Sequence, residues 1–146
     1  MNILILEDRG SVSFFMVEAL KQRGHNVFSA NTTNEATEFW NEQEIDCLIV
    51  DLNMSPEGLS KEQAEKTRGG LLTGWVWLQE TVFNTRPEMR PHTIIYSEYT
   101  KELKSGVKDV DLEGISIIPK KAPTSTAEQV LEALNKISQK IKEGGK

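Results

Sequence analysis

Three carboxylates, one hydroxyl and one ammonium recur in this chain at one kind of place, the end of a short apolar run. Glu7 and Asp8 follow "ILIL", Asp51 follows "CLIV", Ser97 follows "TIIY" and Lys120 follows "SIIP". If these runs are strands that end at one edge, the five side chains share a space. Two carboxylates about 5 Å apart repel by roughly 3 kcal/mol at an effective dielectric near 20. Three together require a proton on one of them or a cation between them. A hard divalent cation suits oxygen donors, and Mg2+ commonly takes one or two carboxylates together with waters and phosphate oxygens. Aspartate is also a nucleophile toward phosphoryl groups. With a metal on one side of a phosphoryl group and an ammonium on the other, transfer needs little beyond positioning. Taken singly, each residue has a plain explanation, since strand ends are exposed and exposed residues are polar. Their repetition at five corresponding positions points to chemistry.

The elements that must position them alternate along the chain. Residues 3–6, Asn26–Ala30, Cys47–Val50, 93–96 and 115–118 read as strands, the third continuous enough to be buried on both faces. Between the first two, "SVSFFMVEALKQRG" places Phe14, Phe15, Val17, Ala19 and Leu20 in a helix that Gly24 ends. Asn34 or a neighbouring threonine caps the helix "EATEFWNEQ". "GWVWLQETVF" is helical until Pro87 and Pro91 break the chain, and a weaker helix covers 101–108. From 124 or 125 to about 142, Val130, Leu131, Leu134, Ile137 and Ile141 form a helical stripe, with Ser125 and Glu128 as a capping box. Strand and helix alternating five times means a doubly wound parallel α/β sheet with helices on both faces. Right-handed crossovers bring the carboxyl ends of all its strands to one edge, where the functional crevice of such sheets lies.

One connection is too long. Segment 55–70, "SPEGLSKEQAEKTRGG", stands between the third strand and its helix, where two to six residues usually suffice. Ser60 followed by Gln63 is a capping-box pattern, so "KEQAEKT" is expected to form one or two helical turns ended by Gly69 or Gly70. The segment is either a solvated surface excursion or, starting four residues after Asp51, a lid or docking surface.

At 146 residues the chain fits one domain, 1–146, with 143–146 as a frayed tail or the start of a linker. Its net charge of −5 argues against nucleic acid as a direct ligand. The single Cys47 lies in an apolar run and reads as a core residue, and no internal disulfide can form, which suits a reducing compartment. No segment has bilayer length and the N-terminus lacks a secretory pattern, so no membrane association and a cytoplasmic location are expected.

These motifs, in this order and spacing, resemble the receiver domain of two-component response regulators over residues 2–142, outside the 55–70 insertion. "LILEDRG" resembles the family's acidic pair after the first strand, "LIVDLNM" its phosphoacceptor strand, "TIIYSEY" the strand ending in Ser or Thr, and "SIIPKK" the lysine strand. Asp8 to Asp51 spans 43 residues and Ser97 to Lys120 spans 23, close to the family's intervals. The resemblance implies a flavodoxin-like strand order 2-1-3-4-5. It makes Asp51 the phosphoacceptor, with Ser97 and Lys120 holding phosphoryl oxygens. It also implies Mg2+ (or Mn2+) bound by Asp8 and Asp51 directly, by Glu7 through water and by the backbone carbonyl of Asn53. A histidine kinase, a phosphotransfer protein or a small phosphodonor would supply the phosphoryl group. A stand-alone receiver would then act on a downstream effector protein by contact, and catalyse its own transfer and dephosphorylation without being a conventional enzyme.

Four positions depart from the family pattern. Glu98 follows Ser97 where a small residue is usual, Ile117 replaces the aromatic switch, and Ser55 replaces a proline. Lys121 replaces the proline that usually follows the lysine in a cis bond. A cis Lys120–Lys121 bond would cost about 2.5–4 kcal/mol, so either a trans bond or a sustained strain is expected there. These departures leave a second reading, a pseudo-receiver that serves as a docking module without phosphorylation. A haloacid-dehalogenase-like phosphatase would need a second aspartate where Asn53 stands, and a flavin carrier would need more Ser, Thr or Gly than "EDRGSV" supplies. Trp75 and Trp77 read as core residues, Trp40 as part of a helix face, and His25 and His92 as surface-loop residues. Tyr99 lies two residues beyond Ser97, where the resemblance implies control over phosphoryl lifetime, so its ring is expected to shield the group from water; unchanged dephosphorylation of Tyr99→Ala would remove that role.

Overall fold

Successive side chains of a strand point to opposite faces, so a sheet covered on both sides must bury two separate apolar sets. The computed structural model describes residues 1–8, 10–120 and 123–144, with side chains at all of these except 10–13, 123–127 and 144. Its strands are β1 (Asn2–Leu6), β2 (Asn26–Ala30), β3 (Cys47–Val50), β4 (Thr93–Ser97) and β5 (Ser116–Pro119). They form one parallel sheet in the order β2-β1-β3-β4-β5. The helices are α1 (Gly10–Gln22), α2 (Thr33–Glu42), α3 (Lys61–Glu65), α4 (Thr73–Trp77), α5 (Thr100–Gly106), α6 (Asp109–Leu112) and α7 (Pro123–Gly144).

Ile3, Ile5, Cys47, Ile49, Ile94 and Tyr96 face one side and pack with Met16 and Leu20 of α1 and Val130, Leu134 and Ile137 of α7. Leu4, Leu6, Leu48, Val50 and Ile95 face the other and meet Ala36 of α2, Trp75 and Trp77 of α4, and Leu103 of α5. Each fully buried Leu or Ile contributes about 1.5–3 kcal/mol, which fixes the register of every strand against a one-residue slip. β3, in the middle, is buried at all four positions, while the edge strands β2 and β5 are partly exposed.

Local signals place the helix ends. Gly24, with φ +86°, ends the turn after α1, where the His25 N–H reaches the Leu20 carbonyl at 3.2 Å and the Gly24 N–H reaches that of Lys21 at 2.9 Å. Thr32 caps α2 by accepting the Glu35 N–H at 3.1 Å. Trp75 and Trp77 are core residues, and the Trp77 indole donates to Thr37 Oγ1 at 3.0 Å. Trp40 is half-buried on α2, with the Arg86 guanidinium 5.3 Å from its ring centroid.

Three local expectations are refined. α1 buries Met16 and Leu20, four residues apart, and leaves Phe14 and Phe15 on the solvent side, 59% and 75% exposed. The helix after α4 continues as a wide π turn over Leu78–Phe83, with the Asn84 N–H bonded to the Gln79 carbonyl at 3.1 Å. α7 runs two residues past its expected end, to Gly144. The Lys120–Lys121 bond, the Ser125 cap and residues 145–146 lie outside the described residues.

The 55–70 segment is closed at its base. The Met54 N–H bonds to the Gly70 carbonyl at 3.2 Å and Thr73 Oγ1 to the Met54 carbonyl at 2.7 Å, the end-to-end closure of an Ω-loop. The Ser60–Gln63 capping box forms in both directions at the start of α3. α3 ends at Glu65, ahead of the expected glycines, and Arg68, Gly69 and Gly70 then run consecutively at positive φ. Thr33 Oγ1 donates to the Glu57 carbonyl at 3.0 Å and ties the loop to the start of α2.

Candidate functional site

Backbone hydrogen bonds one residue past the strands hold the candidate residues in place. The Glu7 N–H bonds to the Ala30 carbonyl at 3.0 Å, Asp51 N–H to Leu6 at 2.9 Å, and Lys120 N–H to Ser97 at 2.9 Å. Each residue thus sits on the last rung of the sheet, at its carboxyl edge, with a side chain free to leave the pleat.

There Lys120 joins the other two. Its Nζ donates to Glu7 Oε1 at 2.8 Å and to Asp51 Oδ2 at 2.9 Å, and the three side chains are 10%, 6% and 8% exposed. The Asn53 N–H approaches the other Asp51 oxygen, Oδ1, at 3.4 Å. Burial pushes the Glu7 carboxyl above the ordinary carboxylate range; Lys120 pulls it back, and the charges of Asp51 and Asp8 push it up again. Burial alone would lower the Lys120 ammonium, but Asp51 and Glu7 outweigh it and hold its pKa above the usual value. Two buried carboxylates around one ammonium leave the pocket one negative charge in excess, and Asp8 adds its field from the surface.

The other expected residues are placed less tightly. Asp8 is exposed, and among the described residues no three His, Cys, Asp or Glu side chains stand close enough to hold a metal by themselves. Ser97 ends β4 fully buried, its Oγ accepting the Tyr99 N–H at 3.2 Å. Asn53 and Tyr99 are half-buried and Glu98 is exposed. Ile117 is half-buried against the α2–α4–α5 side of the core. Cys47 is buried, its thiol pushed up to about 12 by burial, which leaves it inert at neutral pH. His25 and His92 are half-buried; the His25 Nδ1 lies 3.1 Å from the Met1 amino group, and His92 ends the 3-10 helix Pro87–His92 that leads into β4.

Sequence reasoning missed Gly74. A Cβ at this position would collide with the carbonyl oxygen of Asp51 and lie 2.7 Å from Val50 Cγ1, while the Gly74 N–H bonds to the Leu52 carbonyl at 3.1 Å. Only glycine lets α4 come this close beneath the phosphoacceptor candidate. Its one sequence signal is a glycine within the first turn of a helix rich in bulky residues.

Solved structures share this fold. The Vibrio cholerae chemotaxis protein CheY4 is 18% identical, with 93% of this chain and 97% of that one covered and a TM-score of 0.67. Thermotoga maritima TrrA, solved in complex with Mg2+–BeF, is 18% identical over 93% and 97% at a TM-score of 0.66. The non-phosphorylated HemR receiver domain of Leptospira biflexa is 19% identical over 93% and 92%, also at 0.66. No family model and no curated protein matches the chain. The fold is that of the receiver domain of response regulators. No helix among the described residues is long and apolar enough to cross a membrane.

Proposed function

We propose that this chain is a phosphoacceptor signalling domain in which Asp51 receives a phosphoryl group from a histidine kinase, a phosphotransfer protein or a small phosphodonor. The observation that carries the reading is Asp51 at the end of the central strand, one oxygen on the Lys120 ammonium at 2.9 Å and Glu7 on that same ammonium. An Asp51 oxygen attacks phosphorus, the bond from phosphorus to the donor nitrogen or oxygen breaks, and the leaving group departs with the electron pair. Lys120 then shifts its charge to the phosphoryl oxygens, and Ser97 donates its hydroxyl hydrogen to one of them.

The donor set fits a divalent cation: hard oxygens only, with a net negative charge that one ammonium does not cancel. Asp8 and Asp51 would hold Mg2+ directly, Glu7 through water, and Asn53 through its carbonyl. The ion would supply charge neutralisation at the phosphoryl oxygens. TrrA, which shares the fold, is in complex with Mg2+–BeF, and this supports a divalent cation as the partner of the site. The phosphorylated form acts on a downstream effector by protein contact in the cytoplasm, without nucleic acid or membrane as a partner.

Incubation with acetyl phosphate and Mg2+ should add about 80 Da, the mass of one phosphoryl group, and Asp51→Asn should abolish the addition. A wild-type protein that stays unlabelled under these conditions, by mass spectrometry on rapid quenching, would refute the assignment.

A further inference from the structure

Lys120 has a third neighbour at the site that is not a carboxylate. Its Nζ lies 5.0 Å from the centroid of the Tyr96 ring, within the range in which a cation is drawn to an aromatic face. Tyr96 is 4% exposed and fixed by its place in β4, where it pairs in register with Ile118. An ammonium has three donors, and Glu7 and Asp51 engage two of them. The ring face adds attraction from a third direction.

We propose that Tyr96 is a positioning residue for phosphoryl transfer, its ring face steadying the Lys120 ammonium while the two carboxylates change partners. This rests on the phosphoacceptor reading above. In that reaction both anchors of Lys120 would be altered: Asp51 would become an acyl phosphate, and Glu7 would be drawn toward a bound cation. A lysine on four flexible carbons would otherwise have to be ordered again at that moment. The ring is not altered by the reaction. It attracts the ammonium without taking its proton, and it does not cancel the charge that the phosphoryl oxygens need. Tyr96 is also a strand residue packed with Ile5 and Ile49 in the α1–α7 core, so it does not move with the loops above it.

The test compares Mg2+-dependent labelling by acetyl phosphate in the wild type, Tyr96→Phe and Tyr96→Leu over a range of donor concentrations. Tyr96→Leu should lower the maximal rate about three- to tenfold, the range a cation–aromatic contact supports. The donor concentration at half-maximal rate should hardly move. Tyr96→Phe keeps the ring and loses only the hydroxyl, so it should recover most of the rate. Pentafluorophenylalanine at position 96 keeps the shape and reverses the charge of the face; it should behave like Tyr96→Leu, and it stands in should that variant melt early. In the metal-free protein, the Lys120 ε-methylene protons should be shifted upfield by the ring in the wild type and Tyr96→Phe, and not in Tyr96→Leu. Equal rates for wild type and Tyr96→Leu, or a loss in Tyr96→Phe as large as in Tyr96→Leu, would overturn the proposal. If the wild type itself is not labelled, the phosphoacceptor reading fails first, and the absence or presence of the upfield shift then decides the contact alone.

Discussion

Asp46 and Asp51 flank the same four-residue strand, "D-CLIV-D", and do opposite things. Asp46, on the amino edge of the sheet, accepts the Asn2 N–H at 2.8 Å, while its own N–H bonds to the Asn2 carbonyl. Around it Asn2 Nδ2 donates to the Glu44 carbonyl at 2.7 Å and Asn26 Nδ2 to Asn2 Oδ1 at 3.0 Å. That edge satisfies half-exposed polar groups with neutral partners. The carboxyl edge holds two acids and an ammonium almost wholly buried, joined across 113 and 69 residues of chain. The first arrangement closes a fold and the second stores electrostatic conflict. Conflict of this kind is tolerated where chemistry later relieves it.

Removing Lys120 should break the contrast most severely. Lys120→Ala leaves two buried carboxylates without their common partner, and the cost should be about 3–5 kcal/mol by urea denaturation, with labelling lost. Asp46→Ala should cost only about 1–2 kcal/mol, one hydrogen bond to a charged acceptor that water can replace, and labelling by acetyl phosphate should stay at the wild-type rate. A loss of labelling there would mean that the two edges are not independent.

The smallest effect should carry the opposite sign. Glu7 has its carboxyl held above the usual range, so in the window between the ordinary value and its raised one the folded protein binds more protons than the unfolded chain. Stability from this group is therefore present at low pH and lost as pH rises through the raised value. Glu7→Gln removes that loss, and its melting temperature in the absence of Mg2+ should equal or exceed that of the wild type near pH 7. The difference should shrink toward pH 4. A variant clearly less stable than the wild type at pH 7 would show that the Glu7–Lys120 bond outweighs the burial of its charge.

How much of this was legible follows from how local each signal is. Cys47–Val50 shows itself as a buried strand because four consecutive apolar residues need no distant information. Gly24, Thr32 and the Ser60–Gln63 box mark helix ends through bonds that reach only a few residues. At α1 the periodicity marked a helix, yet Phe14 and Phe15 face outward, because which stripe is covered depends on where α7 lies. The strand-end acids were visible as a set. Their division into Glu7 and Asp51 on Lys120, with Asp8 outside, was not.

The sequence alone determined the alternation of elements, and with it the parallel sheet and the edge to which Glu7, Asp51, Ser97 and Lys120 belong, because crossover handedness and side-chain periodicity act within one strand–helix–strand unit. Tertiary structure alone decided that Lys120 lies between two acids and above the Tyr96 ring, and that α4 touches the Asp51 backbone through Gly74. Those contacts join residues far apart in the chain at distances of a few ångströms. At that scale desolvation, charge and close packing are set by the assembled neighbours, and no stretch of sequence contains them.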